Sequence, residues 1–303
     1  MSQVTRRTIL AAGAGAASVF VLGRAGVRAQ GATPATTPAA PAPELPALAD
    51  YPILTATVSH AGLSLSSDTV PAGLVRFVVA DTDALGDGRS AVVIGPGAGG
   101  SLTDVQAAAA TPIPGDGFPP FLYDATVLGG PVDPTPGESH EVLLNIPEGD
   151  WLVLNDARLG SAPLRATISA ESKTDEPAAD AEIGLVDFAF TGLDSVTAGP
   201  QLWKITNTGA QPHSLALAGV PRGTTQDEIV ATMMEQEEGT LTEGAFESFA
   251  VLGAGVLLLS AGQSLWLPLT LTAGDYAAVC FVKDPATGKS HATEGMAQLF
   301  TVT

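Results

Sequence analysis

Cysteine is almost missing from this 303-residue chain: Cys280 stands alone, so no internal disulfide can form. An unpaired thiol outside a reducing compartment is open to oxidation, so Cys280 must be buried and inert or held by a metal. Positive charge is also scarce. Thirteen Lys and Arg face 32 Asp and Glu for a net charge of −19, which excludes binding nucleic acid through its backbone. Such a surface meets basic partners or simply stays soluble. Outside the N-terminus the longest apolar run, around Val256–Leu259, is too short to span a bilayer. There is no Gly-x-Ser-x-Gly elbow, and His60 and His140 have no obvious catalytic partners, so no enzymatic activity is expected.

What the chain does contain is 45% hydrophobic residues, enough for packed cores, with 34 Gly and 23 Pro that favour many turns and a β-rich architecture. Residues 1–29 read as a twin-arginine-type signal: Arg6-Arg7 precede an Ala/Gly-rich apolar stretch, and Val27-Arg28-Ala29 offers a small-residue cleavage site. A general secretory signal with two arginines is the other reading. No Cys lies there for a lipoprotein anchor. The expected location is periplasmic, extracellular or at the cell surface, and cleavage would remove four arginines and take the net charge to −23.

Residues 30–49 form a Pro/Ala/Thr-rich linker, and 171–181 a second, polar one. The segments they separate, 50–170 and 182–303, look duplicated. Pro136-Gly137-Glu138-Ser139 through Gly149-Asp150-Trp151 aligns without gaps to Ala261-Gly262-Gln263-Ser264 through Gly274-Asp275-Tyr276, at a constant offset of 125. Val70-Pro71-Ala72-Gly73 likewise answers Val196-Thr197-Ala198-Gly199. Each half reads as seven or eight short strands with one helical insertion, near Thr103–Ala110 and at Thr225–Glu235, the latter with Thr225 and Glu228 spaced as a capping box. An all-β fold of two Greek-key sandwich domains fits this pattern.

Near the C-terminus Cys280 is followed by His291 and Met296, and His213 lies upstream at the start of an alternating run. A thiolate, two imidazoles and a thioether are the ligands of a type 1 copper site. The second half also resembles the cupredoxin family, its plastocyanin-like and azurin-like members included. Asn207-Thr208-Gly209 with Pro212-His213 looks like the segment carrying the first imidazole, Tyr276–Cys280 like the strand delivering the thiolate, and His291 with Gly295-Met296 like the rest of the ligand loop. The resemblance covers roughly 183–303. It implies one copper with His213, Cys280 and His291 equatorial and Met296 axial, electron transfer, and a redox partner protein.

Ten residues, Phe281 to Ser290, separate Cys280 from His291, where compact blue-copper loops have only a few. A loop with Asp284-Pro285 and Gly288 can fold back and return His291 to the metal; altered geometry, another metal or an empty site are the other readings of that spacing. The repeat acts as a control. Cys280 corresponds to Asn155, His213 falls at Arg89 or Ser90, His140 pairs with Leu265, and the first half lacks the longer ligand loop. A metal-free interaction module and a copper carrier or sensor remain as alternatives. There is no His-x-His pair for a trinuclear cluster, and Gly95-Pro96-Gly97-Ala98-Gly99-Gly100 lacks the βαβ context of a dinucleotide site. Glu235–Glu238 reads as a solvated helix end.

Overall fold

A computed structural model of the chain describes residues 48–59, 61–82, 90–111, 118–132, 137–155, 161–240 and 250–303. The expected signal, residues 30–47 of the first linker, His60 and Arg89 lie outside them. The described chain is mostly β. The first half contains β1 (Ile53–Ser59), β2 (Gly62–Leu65), β3 (Thr69–Pro71), β4 (Gly73–Asp81) and β5 (Ala91–Gly95). It continues through α1 (Leu102–Ala109), α2 (Phe121–Asp124), β6 (Thr126–Gly129), β7 (Ser139–Ile146), β8 (Gly149–Asn155) and β9 (Ser161–Thr167). The second half has β10 (Ala181–Val186), β11 (Ala189–Thr191), β12 (Gly199–Asn207), β13 (His213–Val220) and α3 (Gln226–Glu238). β14 (Ala250–Leu259), β15 (Ser264–Leu271), β16 (Gly274–Val279) and β17 (Ala297–Val302) complete it.

These strands follow the side-chain pattern. β1 alternates, with Leu54, Ala56 and Val58 buried. β5 is buried at all five residues because it lies between β6 and β8. The strands form an eight-stranded sheet, β11-β10-β12-β15-β7-β4-β1-β2, and two smaller ones, β3-β9-β8-β5-β6 and β14-β13-β16-β17. Phe77, Leu144, Trp203 and Leu267 of the large sheet share one buried core with Val93 and Val153 of the first small sheet and Leu215 and Ala278 of the second.

The duplication is visible in the register. Gly73 faces Ile146 in the first half and Gly199 faces Leu271 in the second, two equivalent pairs. The halves meet at β7 and β15, themselves equivalents, where Leu144 pairs with Leu265 and Leu143 with Trp266. On the other layer Pro131 bridges Val256, its own equivalent at the offset of 125. Val132 N–H donates to the Gly255 carbonyl at 3.3 Å and Leu257 N–H to the Gly130 carbonyl at 2.9 Å, so each bond is the other's symmetry mate. A local pseudo-two-fold axis therefore runs through the junction.

The polar segment 171–180 is held by both halves: the Lys173 carbonyl accepts from Leu74 N–H at 2.7 Å and the Asp175 carbonyl from the Tyr51 hydroxyl at 2.6 Å, while Glu176 accepts from Lys204 at 2.5 Å and Asp180 exchanges 2.8 Å bonds with the Leu202 backbone. In the glycine-rich run after β5 packing requires Gly97, whose Cβ would fall 1.6 Å from the Asp124 carbonyl oxygen, while Gly99 takes a φ of 78°. Among the described residues no helix is long and apolar enough to cross a membrane.

Candidate metal centre

His213 opens β13, and the turn before it is built by Asn207. Its buried amide donates to the carbonyls of Gln211 and Leu259, both at 2.8 Å, while its Oδ1 accepts from Gly209 N–H at 2.9 Å. Gly209 has no room for a side chain: a Cβ would lie 2.4 Å from Asp187 Oδ1 and 2.8 Å from His213 Nε2. Cys280 follows β16, and its Sγ accepts from Ser214 N–H at 3.2 Å and the Ser214 hydroxyl at 3.5 Å.

The ten residues between Cys280 and His291 form a folded-back excursion. Asp284 N–H donates to the Lys289 carbonyl and Gly288 N–H to the Asp284 carbonyl, both at 2.8 Å, closing the tip. Lys283 bridges Ser290, and at the base His291 N–H donates to the Val282 carbonyl (2.7 Å) and Ala292 N–H to the Cys280 carbonyl (2.9 Å). The long spacing thus adds a hairpin-like tip and brings His291 back beside Cys280. Met296 is fully buried, with its N–H on the His291 carbonyl (2.7 Å) and its carbonyl accepting from Cys280 N–H (3.0 Å).

Three donor atoms converge. His213 Nδ1 and His291 Nδ1 are 3.0 Å apart, and Cys280 Sγ is 3.8 Å from the first and 3.5 Å from the second. The three donor atoms all lie within 4.8 Å of one another, near enough to share one cation. All three side chains are fully buried. Their outer atoms set the tautomers. His213 Nε2 lies 2.8 Å from Asp187 Oδ1, a carboxylate that only accepts, so the proton is on Nε2. His291 Nε2 lies 3.1 Å from Gln211 Oε1, whose amide nitrogen is turned to Asp284, so His291 also carries its proton outside. Both Nδ1 lone pairs then point inward at each other and at a sulfur. Such an array of acceptors fits a soft cation.

The protonation states agree. Burial pushes the Cys280 thiol up to about 11, against the hydrogen bonds from Ser214. Burial also lowers both histidines, His291 to about 4 with His213 as a second cause. Asp187 beside His213 opposes that lowering, but burial prevails, so their contact is a hydrogen bond from a neutral imidazole rather than an ion pair. Asp187 itself stays below the usual carboxylate range: burial raises it, and the Ala210, His213 and Gln211 donors together outweigh burial.

Several supports were not anticipated from sequence. Asp187 and Phe188 come from the β10–β11 connection, with the Phe188 ring edge-on to His291 at 4.8 Å between centroids. Glu237 is a correction: it is no solvated helix end, because its carboxylate accepts from Ser290 N–H (3.0 Å), the Ser290 hydroxyl (3.1 Å) and the Thr293 hydroxyl (3.0 Å). α3 is thereby fastened to the ligand loop. In the first half Asn155 takes the place of Cys280, and its amide donates to the Ser90 carbonyl at 2.8 Å. His140 sits on β7 with Nδ1 on the Val132 carbonyl at 3.2 Å, away from the cluster.

No family model matches the chain, and neither does any curated protein. Similar solved structures include a dithionite-reduced auracyanin from Roseiflexus castenholzii, 15% identical over 39% of this chain and 98% of that one, with a TM-score of 0.27. A copper nitrite reductase from Nitrosomonas europaea is 12% identical over 83% of this chain and 93% of its own, and a multicopper oxidase 14% identical over 83% and 88%, both at TM-score 0.22. At these values no residue role or activity is carried over from them. One expectation is nevertheless corrected: the structures matching over most of the chain include enzymes, so the reading of a protein without enzymatic activity is withdrawn. What the structure itself shows is the cluster: His213, Cys280 and His291 are gathered beside Met296, and the donor set fits one copper ion.

Proposed function

We propose that the C-terminal half binds a single copper ion, which His213 Nδ1, Cys280 Sγ and His291 Nδ1 would hold with Met296 as a weaker fourth donor, and that the site serves electron transfer. The observation that carries this reading is the convergence of two inward Nδ1 lone pairs on a buried thiol, with both Nε2 protons tied outward. Copper in such a site supplies reversible one-electron chemistry. The chain's own residues do the rest. Asp187 and Gln211 hold the imidazoles in orientation, Ser214 donates to the sulfur, and complete burial keeps water from the donors. Complete burial of the four residues also favours retention of the ion over copper carriage, which needs ligand exchange.

The surrounding readings belong to the same proposal. Residues 50–170 and 182–303 are two Greek-key sandwich units, the first without ligands, joined by 171–181. Residues 1–29 are a twin-arginine signal that exports the protein, 30–49 a linker, and a redox partner protein meets the acidic surface. The test is direct. Purified protein given Cu(II) should retain one ion and develop an intense thiolate-to-copper band, and Cys280→Ser should abolish the band. Absence of both band and retained copper in the unsubstituted protein would overturn the reading.

A further inference from the structure

The ligand loop is gripped from outside the half that builds the site. Tyr123, in α2 of the first half, donates its hydroxyl to the carbonyl of Lys283, 160 residues further along the chain. Lys283 lies on the outgoing limb of the excursion, between Cys280 and the tip, and bridges Ser290 on the returning limb. Ser290 is held by Glu237 of α3. One limb is thus fixed by the first half and the other by the inserted helix, and these limbs bring His291 back to Cys280. The Tyr123 ring is itself seated, tilted at 60° against Phe118 with centroids 5.1 Å apart. Its hydroxyl keeps its proton, pushed up to about 12 by burial and by the neighbouring Asp284 and Cys280.

We propose that Tyr123 is a positioning residue for the metal centre, and that the ligand-free half acts through it as a brace on the loop carrying His291. The metal part of this inference rests on the copper reading; the loop part does not. The experiment therefore has two arms on the full chain. Tyr123→Phe removes only the hydroxyl and keeps the ring against Phe118. In metal-free protein the amides of residues 281–291 should exchange hydrogen roughly three- to tenfold faster, the factor expected from losing one hydrogen bond. Amides of β4 and β12 should be unchanged, as should those of 281–291 in Tyr51→Phe, whose hydroxyl donates to the Asp175 carbonyl instead. In copper-loaded protein the variant should shift the charge-transfer band and release copper to a chelator several-fold faster.

Unchanged exchange over 281–291, or acceleration spread evenly through the protein, overturns the brace. Faster local exchange with an unmoved band and release rate overturns the role at the metal centre. Failure of the unsubstituted protein to bind copper would sink the copper reading alone and leave the exchange arm to decide on Tyr123. Should Tyr123→Phe not fold, Phe118→Leu, which loosens the ring and spares the hydroxyl, is read in the same way with a smaller expected factor.

Discussion

Asp187 is the residue on which the first imidazole depends. It accepts from His213 Nε2 and also from Ala210 N–H (2.8 Å) and Gln211 N–H (3.3 Å), so one carboxylate fixes both the tautomer and the turn. Outer partners of this type typically change metal affinity about 10- to 100-fold. Asp187→Ala should therefore weaken copper binding by that order in a chelator competition, with the thiolate band still formed at saturation. His140 gives a test free of metal. Its pKa is lowered, mainly by burial, so the folded protein resists protonating it while the unfolded chain does so below about pH 6.5. Its contribution is intact above pH 6.5 and is lost as pH falls toward the folded value. Between those limits stability drops with falling pH, by at most about 1.4 kcal/mol per pH unit. Denaturant titrations from pH 7 to 5 should show a shallower acid loss in His140→Leu than in the unsubstituted chain.

At the scale of elements, α3 links the local sequence to the site. Thr225 caps it, with Thr225 Oγ1 accepting from Glu228 N–H (3.3 Å) and Glu228 reaching back to Thr225 N–H (2.8 Å), and Gly239 ends it at a φ of 68°. Ile229 and Met233 pack on Ala277, Val279, Ala292 and Ala297, so the helix rests on both strands flanking the ligand loop. Thr225→Ala should cost about 1 kcal/mol in denaturant unfolding, the usual value of an N-cap. Glu237→Ala should cost a comparable amount and, unlike the cap variant, should loosen the loop at residues 290–293 in hydrogen exchange.

Much of this level was legible in the sequence. The capping pair of Thr225 and Glu228 marks the start of α3 in the sequence, whereas the Ser101–Asp104 pair that caps α1 emerges only in the structure. The return of His291 was written in Asp284-Pro285 and Gly288, which make a closed tip. Asp187, Glu237 and Tyr123 were not legible, because the contacts that give them meaning cross 26, 53 and 160 residues. Alternation places a residue on a face, but it does not say which turn will meet which loop.

For the whole molecule, the junction decides cooperativity. Trp266 is buried where β15 meets β7, among Leu48, Leu74, Leu143 and Leu202. With the core continuous through both halves, calorimetry should show one unfolding transition rather than two. Trp266→Ala should destabilise that single transition by about 3–5 kcal/mol, as large core deletions do. The sequence made the duplication plain through its constant offset. It was silent on how the copies join, because a register between equivalent strands leaves no mark in composition or spacing.

The pseudo-two-fold at Pro131 and Val256 has one more consequence. An interface whose strands pair with their own equivalents is isologous, the kind that two identical subunits make with each other. This chain is in effect a dimer sealed into one polypeptide, so dilution cannot part its halves, and the local concentration of one at the other stays fixed by covalent connection. Once that is so, selection need keep ligands in only one half, and the other is free to change its chemistry while it goes on holding its place.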